Sequence, residues 1–93
     1  MNITDIRIRL KPENASGTLA TAAVTIDSDW AVHDIRILHR EGRFYLAMPS
    51  RRCADGLTRD LVHPVHGRAR EELTRAVLAA YRRELFRSRM SVS

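Results

Sequence analysis

The chain has one cysteine, Cys53, so no internal disulfide can form, and the expected compartment is a reducing one. Cys53 stands beside Arg51 and Arg52, which could lower a thiol pKa, but no histidine can be assigned to it as a partner; the alternative is a small, partly exposed filler. The four glycines form no Gly-rich phosphate loop. No stretch approaches the ~20 apolar residues of a membrane span, and MNITDIRIRL lacks a signal-peptide pattern, so a cytoplasmic protein without a span is expected. The four histidines, His33, His39, His63 and His66, have no metal-ligand spacing. His33 and Asp34 could do acid–base work, but neighbours on a strand point to opposite faces and cannot serve one site. The expectation is therefore no enzyme, no metal, no cofactor and no small-molecule substrate.

What is present is positive charge. The 93 residues carry a net +5, and fifteen of the sixteen basic residues are Arg, with Lys11 the exception. Such a balance favours an anionic partner such as nucleic acid, although an arginine bias can also reflect a GC-rich genome. The distribution is more informative. Residues 1–65 carry nine basic and eight acidic groups, net +1, whereas residues 66–93 carry seven and three, net +4.

The length allows a single small domain, 1–93, with a core close to the size at which burial becomes marginal. Ile6, Ile8 and Leu10 alternate with Arg7, Arg9 and Lys11, the pattern of a half-buried strand. After turn residues between Pro12 and Thr18, the stretch Leu19 to Asp27 alternates again, with small Ala20 and Ala22 leaving room for something bulky against the sheet. Trp30 to Leu38 reads as the organising strand. Strict alternation puts Ile35 and Ile37 on one side and Trp30, Val32 and Leu38 on the other, so the strand is expected to be apolar, and covered, on both faces. With one convincing helix in the chain, part of that cover is assigned to a second subunit. His39-Arg40-Glu41-Gly42 is a hairpin loop, and Phe44, Leu46 and Met48 alternate along the returning strand.

Beyond Pro49, Asp55-Gly56 between two extended runs predicts a small polar β-ribbon carrying Arg51, Arg52 and Arg59. A solvated hairpin, with its charges balanced locally by Arg59–Asp60 or Arg52–Asp55, competes with an anion-binding reading. A helix follows His66-Gly67 and runs to about Arg87, with Leu73, Ala76, Val77, Ala80, Tyr81 and Leu85 on one stripe. Glu71 and Glu72 near its start and Arg82, Arg83 and Arg87 toward its end suit the helix dipole. Arg68, Arg75, Arg82 and Arg89 recur every seven residues, drifting only ~20° per repeat, and form a cationic stripe. The fold class is α+β: a small antiparallel sheet, a polar hairpin and one long C-terminal helix, dimerised through the sheet.

Val32-His33-Asp34-Ile35-Arg36, Ala47-Met48-Pro49-Ser50-Arg51-Arg52, Asp55-Gly56, Arg59-Asp60-Leu61 and His63-Pro64-Val65, in this order and spacing, resemble the SpoVG family of bacterial regulators. Thr4 to Arg7 and Ala76 to Tyr81 are similar too, so the resemblance spans roughly residues 3–82. It implies a homodimer that binds DNA, and in some members RNA, at specific sites, modulating gene expression and septum formation or sporulation. The residues matching the family's basic ribbon are Arg51 and Arg52, and its helix-start arginine corresponds to Arg70. The chain departs from the family in having His66-Gly67 where a Ser or Asn cap is usual, Cys53 where Thr is frequent, and a basic tail from about residue 88.

Two function classes follow. One is a dimeric nucleic-acid-binding regulator, with Arg51, Arg52, Arg70, Arg75, Arg82 and Arg83 as phosphate contacts. The other is an adaptor of the division machinery whose basic face meets an acidic protein.

Overall fold

The computed structural model describes residues 2–11, 17–52, 54–62, 64 and 66–90, with the backbone alone at 51, 52, 58 and 60. Cys53 and His63 lie outside the described residues. Strands β1 (Ile3–Leu10), β2 (Thr18–Ile26), β3 (Trp30–Arg40) and β4 (Arg43–Ala47) form an antiparallel meander in the order β1-β2-β3-β4. A separate two-stranded ribbon, β5 (Ser50–Arg52) and β6 (Thr58–Asp60), leads to the helix α1 (Gly67–Met90). This is the expected α+β architecture.

The β2–β3 and β3–β4 hairpins are closed by left-handed backbone, which glycine and short polar residues adopt most readily. Glu41 and Gly42 both take left-handed φ values, 52° and 78°, the geometry of a two-residue turn whose twist matches that of the flanking strands. At the β2–β3 corner Asp27 and Ser28 do the same, at 55° and 59°. That corner is tied down by the Ser28 amide, which donates to Thr4 Oγ1 at 2.9 Å.

The helix lies across one face of the sheet, against β1 and β2. The alanines explain how it gets close: Ala20 and Ala22 are buried beneath it, beside Val24, Ile35, Ile37, Leu46 and Met48. From the helix side the core receives Leu73, Val77, Ala80 and Tyr81, with Leu85 partly buried, so the expected stripe is the packed one. Tyr81 extends the layer toward the β3–β4 hairpin, where its ring lies 6.3 Å from that of Phe44, itself 4.7 Å from the His39 ring.

The expectation that β3 is apolar on both faces is overturned for Trp30 and Val32, while Leu38 keeps its expected side. Ala22 pairs with Ile35, but two residues later Val24 pairs with Val32, so three residues of β3 span what two span on β2. The extra residue is absorbed at Asp34, whose φ is 63°. This β-bulge shifts the side-chain phase by one. Val32, followed by alternation to Trp30, therefore lies on the helix-covered face with Ile35 and Ile37, and the other face keeps Ala31, His33, Arg36 and, beside Tyr45, the partly buried Leu38. The case for a second subunit that rested on two apolar faces falls with it.

The dipole account of the helix charges also changes. No acidic residue lies in the first turn of α1, since Glu71 and Glu72 begin the second, and the last turn contains Arg87 and Arg89 but neither Arg82 nor Arg83. The dipole acts within about a turn of the helix end, so it leaves Arg82 and Arg83 unexplained.

Candidate nucleic-acid interface

α1 begins on an unusual cap. Its first free amides lack partners within the helix, and His66 Nδ1 accepts from the Ala69 amide at 3.1 Å, the role a Ser or Asn side chain plays at most N-caps. The departure from Ser or Asn at this point is thus a change of chemical group with the cap retained. The helix then runs 24 residues, ~36 Å at the usual rise.

Its charges sort by face. At 100° per residue, Arg68, Arg75, Arg82 and Arg89 fall on the side opposite Leu73, Val77 and Ala80, and all four are exposed. Of the candidate contacts, Arg75 and Arg82 share this stripe, and Arg83 is exposed on its flank. Arg70 is elsewhere. Its Nη2 donates to the Leu46 carbonyl at 3.4 Å, tying the start of α1 to edge strand β4, so it serves the fold as well as the surface. The acids do little to offset the stripe: the half-buried Glu84 holds the exposed Arg87 at 3.7 Å, an i,i+3 pair off the stripe. Phe86 and Met90 are exposed beside these arginines.

The ribbon carries Arg51 opposite Arg59 and Arg52 opposite Thr58. Local neutralisation does occur there, but between a pair not anticipated: Arg59 Nη2 meets Asp55 Oδ2 at 2.7 Å, while Asp55 Oδ1 accepts from the Leu57 amide. Asp55 thereby closes the turn and compensates Arg59, leaving Arg51 and Arg52 at the register positions facing Arg59 and Thr58. The Leu61 amide donates to the Pro49 carbonyl at 2.7 Å, which extends the pairing of the ribbon one residue beyond Ser50 and Asp60.

Tyr81 is the one described group whose titration is clearly displaced. Burial raises its phenol above the usual range, partly offset by the nearby Arg89 guanidinium. Among the described residues no cluster of His, Cys, Asp or Glu could hold a metal ion, and no buried side-chain polar atom lacks a partner. No helix among the described residues is long and apolar enough to cross a membrane. An apolar recess of about 250 Å³ between the sheet and the start of α1 is lined by Val24, Val32, Ile35, Met48, Val62 and Leu73 among others, a setting without acid–base or nucleophilic groups apart from His66 at its edge.

A second cationic surface was missed from sequence. On the sheet face away from α1, Arg9 pairs with Thr21, Thr21 with Arg36 and Arg36 with Ala47, one row across all four strands. The signal was present as the polar half of each alternation, but β1 and β3 are 20 residues or more apart in sequence and only their pairing through β2 brings the two arginines together.

The SpoVG family model matches residues 1–83. A Lachnospira eligens relative with the name "Putative septation protein SpoVG" is 42% identical over 81 residues, covering 87% of this chain and 91% of the relative. A relative of the same name from Agathobacter rectalis, 41% identical over 85 residues, and "Putative septation protein SpoVG 1" of Listeria monocytogenes, 41% over 81, cover 91% and 87% of this chain and 97% and 78% of their own length. A match of this extent, over the sheet, the ribbon and most of the helix, is sufficient: the chain belongs to the SpoVG family.

Proposed function

We propose that the protein is a nucleic-acid-binding regulator that affects gene expression and, like the relatives named for septation, the formation of the division septum. The observation that carries this reading is the arginine stripe of α1, exposed over several turns, whose Arg75 and Arg82 are accounted for by neither cap, dipole nor ion pair. Arg75, Arg82 and Arg83 contact phosphates, with Arg51 and Arg52 on the ribbon and Arg70 at the start of the helix. The binding partner is DNA, and RNA presents the same phosphates. Contacts of this kind position a protein on the backbone and leave few side chains to read bases. Affinity should then fall by about 0.9 log units per tenfold salt for each phosphate neutralised on a B-form duplex. The test is a salt titration of duplex binding with wild type, an Arg51→Ala/Arg52→Ala variant and an Arg75→Ala/Arg82→Ala/Arg83→Ala variant. Weaker binding and a flatter slope in both are expected. Unchanged affinity and slope in both would remove the assignment.

The active species in this reading is a cytoplasmic homodimer. Its support is the exposed Trp30, Leu61 and Val62 on or near the sheet end that frames the apolar recess, surface that a second copy would cover. Light scattering should give the dimer mass at micromolar concentration, and the melting temperature should fall on dilution. A monomer mass with a dilution-independent melt would refute it. A second reading, an adaptor that meets an acidic protein of the division machinery, is favoured by Phe86 and Met90 standing exposed beside the helix arginines. It predicts little affinity for a bare duplex.

A further inference from the structure

The two sides of this molecule are both cationic, and they are built differently. On α1 the arginines stand on a convex cylinder. On the sheet they stand around a flat floor. The side chains of Arg7, Arg9 and Lys11 project from β1 on the face away from the helix, about 6.8 Å apart at two residues of strand rise. Arg36 on β3, and Arg40 opposite Arg43 at the β3–β4 turn, form the other margin. Between the margins lie Thr21, Ala23 and Thr25 of β2, none of which rises far above the backbone, and toward Tyr45 the partly buried Leu38 of β3.

Compensation on this face is slight. Asp5 is engaged by Arg7 Nε at 3.3 Å, Asp34 sits at the bulge and Glu41 at the hairpin rim. Arg9, Lys11, Arg36, Arg40 and Arg43 are exposed and make no ion pair with a described acid. Tyr45, 44% exposed and paired with Leu38, and His33 beside Thr21 and Ala23 offer ring faces at the two ends of the floor.

We propose that this open sheet face is a second nucleic-acid surface, and that its ligand is a single polynucleotide strand. Charge complementarity requires a polyanion. A second copy of the same face is disfavoured, because stacking two would oppose Arg9, Arg36 and Arg43 with their own counterparts, and like charges across an interface are costly. A duplex buries its bases and presents a stiff cylinder to a flat plane, so the floor would gain no contact. A single strand can place its phosphates along Arg7, Arg9 and Lys11 while unstacked bases lie on the small residues and against Tyr45 and His33, the combination of basic track and ring faces that strand-binding surfaces use. Since α1 covers the opposite face, one molecule then holds a single strand on the sheet and a duplex on the helix.

The experiment measures fluorescence anisotropy of labelled oligouridylate and oligothymidylate strands of roughly 12 nucleotides and of a duplex, each with three forms of the full chain. These are wild type, Arg9→Ala/Arg36→Ala/Arg43→Ala, and the same three positions changed to Lys. The alanine form is expected to bind at least one of the strands tenfold or more weakly than wild type, with a salt slope lower by roughly 2 if three phosphates are lost. Duplex binding should stay within twofold, and the lysine form should recover most strand affinity. Oligouridylate and oligothymidylate together tell whether the sugar matters; loss of either through the sheet substitutions supports the surface. Unchanged strand binding in the alanine form, an equal loss for strand and duplex, or a changed oligomer mass in that form would overturn it, the last by showing that a second copy occupies the face. An Arg75→Ala/Arg82→Ala/Arg83→Ala control separates this surface from the helix: it should keep strand binding whatever becomes of the duplex.

Discussion

The two faces of the sheet are made from the same strands, one residue out of phase, and they share almost no chemistry. Toward the helix stand Ala20, Ala22, Val24, Ile35 and Ile37, each at most 2% exposed; away from it stand Arg9, Thr21, Ala23 and Arg36. The covered face is specified by shape, since a close-packed layer responds to the loss of a single methylene. The open face is specified by charge, and exposed charges contribute little to folding. One consequence is that the two faces should be separable by mutation. Another is that β3 needs its bulge: without the extra residue at Asp34, Trp30 and Val32 would turn to the cationic side and the division between the faces would be lost.

The comparison can be broken most severely from inside. Leu73→Ala removes a side chain that is 5% exposed and should cost about 2–5 kcal/mol, read as a lower denaturant midpoint; an unchanged melt would mean that another face of α1 packs on the sheet. Next comes the phase itself. Asp34→Val puts a β-branched residue at a φ of 63° and should cost about 1–3 kcal/mol, whereas Asp34→Gly should be tolerated. Equal stability of the two variants by chemical denaturation would show that the bulge carries no strain. The cap is smaller in scale: His66→Ala should lose about 1 kcal/mol and His66→Ser should restore it, as followed by helix content on heating.

Tyr81 sharpens the comparison by pH. Its phenol is raised in the folded state by burial, so the folded protein holds the proton more tightly than the unfolded chain. The associated stability is fully present below the unfolded value of about 10 and is lost as pH rises through the folded one. Alkaline melts should show this loss in wild type and less of it in Tyr81→Phe. Smallest of all is the expected effect of Arg36→Ala or Arg75→Ala on thermal stability, where the midpoint should be unmoved; a clear drop would mean that these arginines support the fold.

Local pattern was sufficient for much of this protein. The period of two in Ile6, Ile8 and Leu10, the turns expected at His39-Arg40-Glu41-Gly42 and Asp55-Gly56, and the 3.6-residue stripe from Leu73 to Leu85 each record an interaction between near neighbours, and each element forms about where its residues place it, although β3 runs on through His39 and Arg40 and leaves Glu41-Gly42 alone to make the turn. The helix arginines were legible for the same reason, because residues seven apart on one helix share a face whatever it packs against. The faces of β3 were not legible, since a bulge is decided by how one strand pairs with the next. Nor was Arg70, whose partner is the carbonyl of Leu46, 24 residues away, or the row from Arg9 to Arg36, which exists only after β2 has paired with both neighbours. Charge density along the chain marked α1 as the cationic element; charge density in space adds the open face of the sheet, because antiparallel pairing collects onto one surface arginines that the sequence keeps apart.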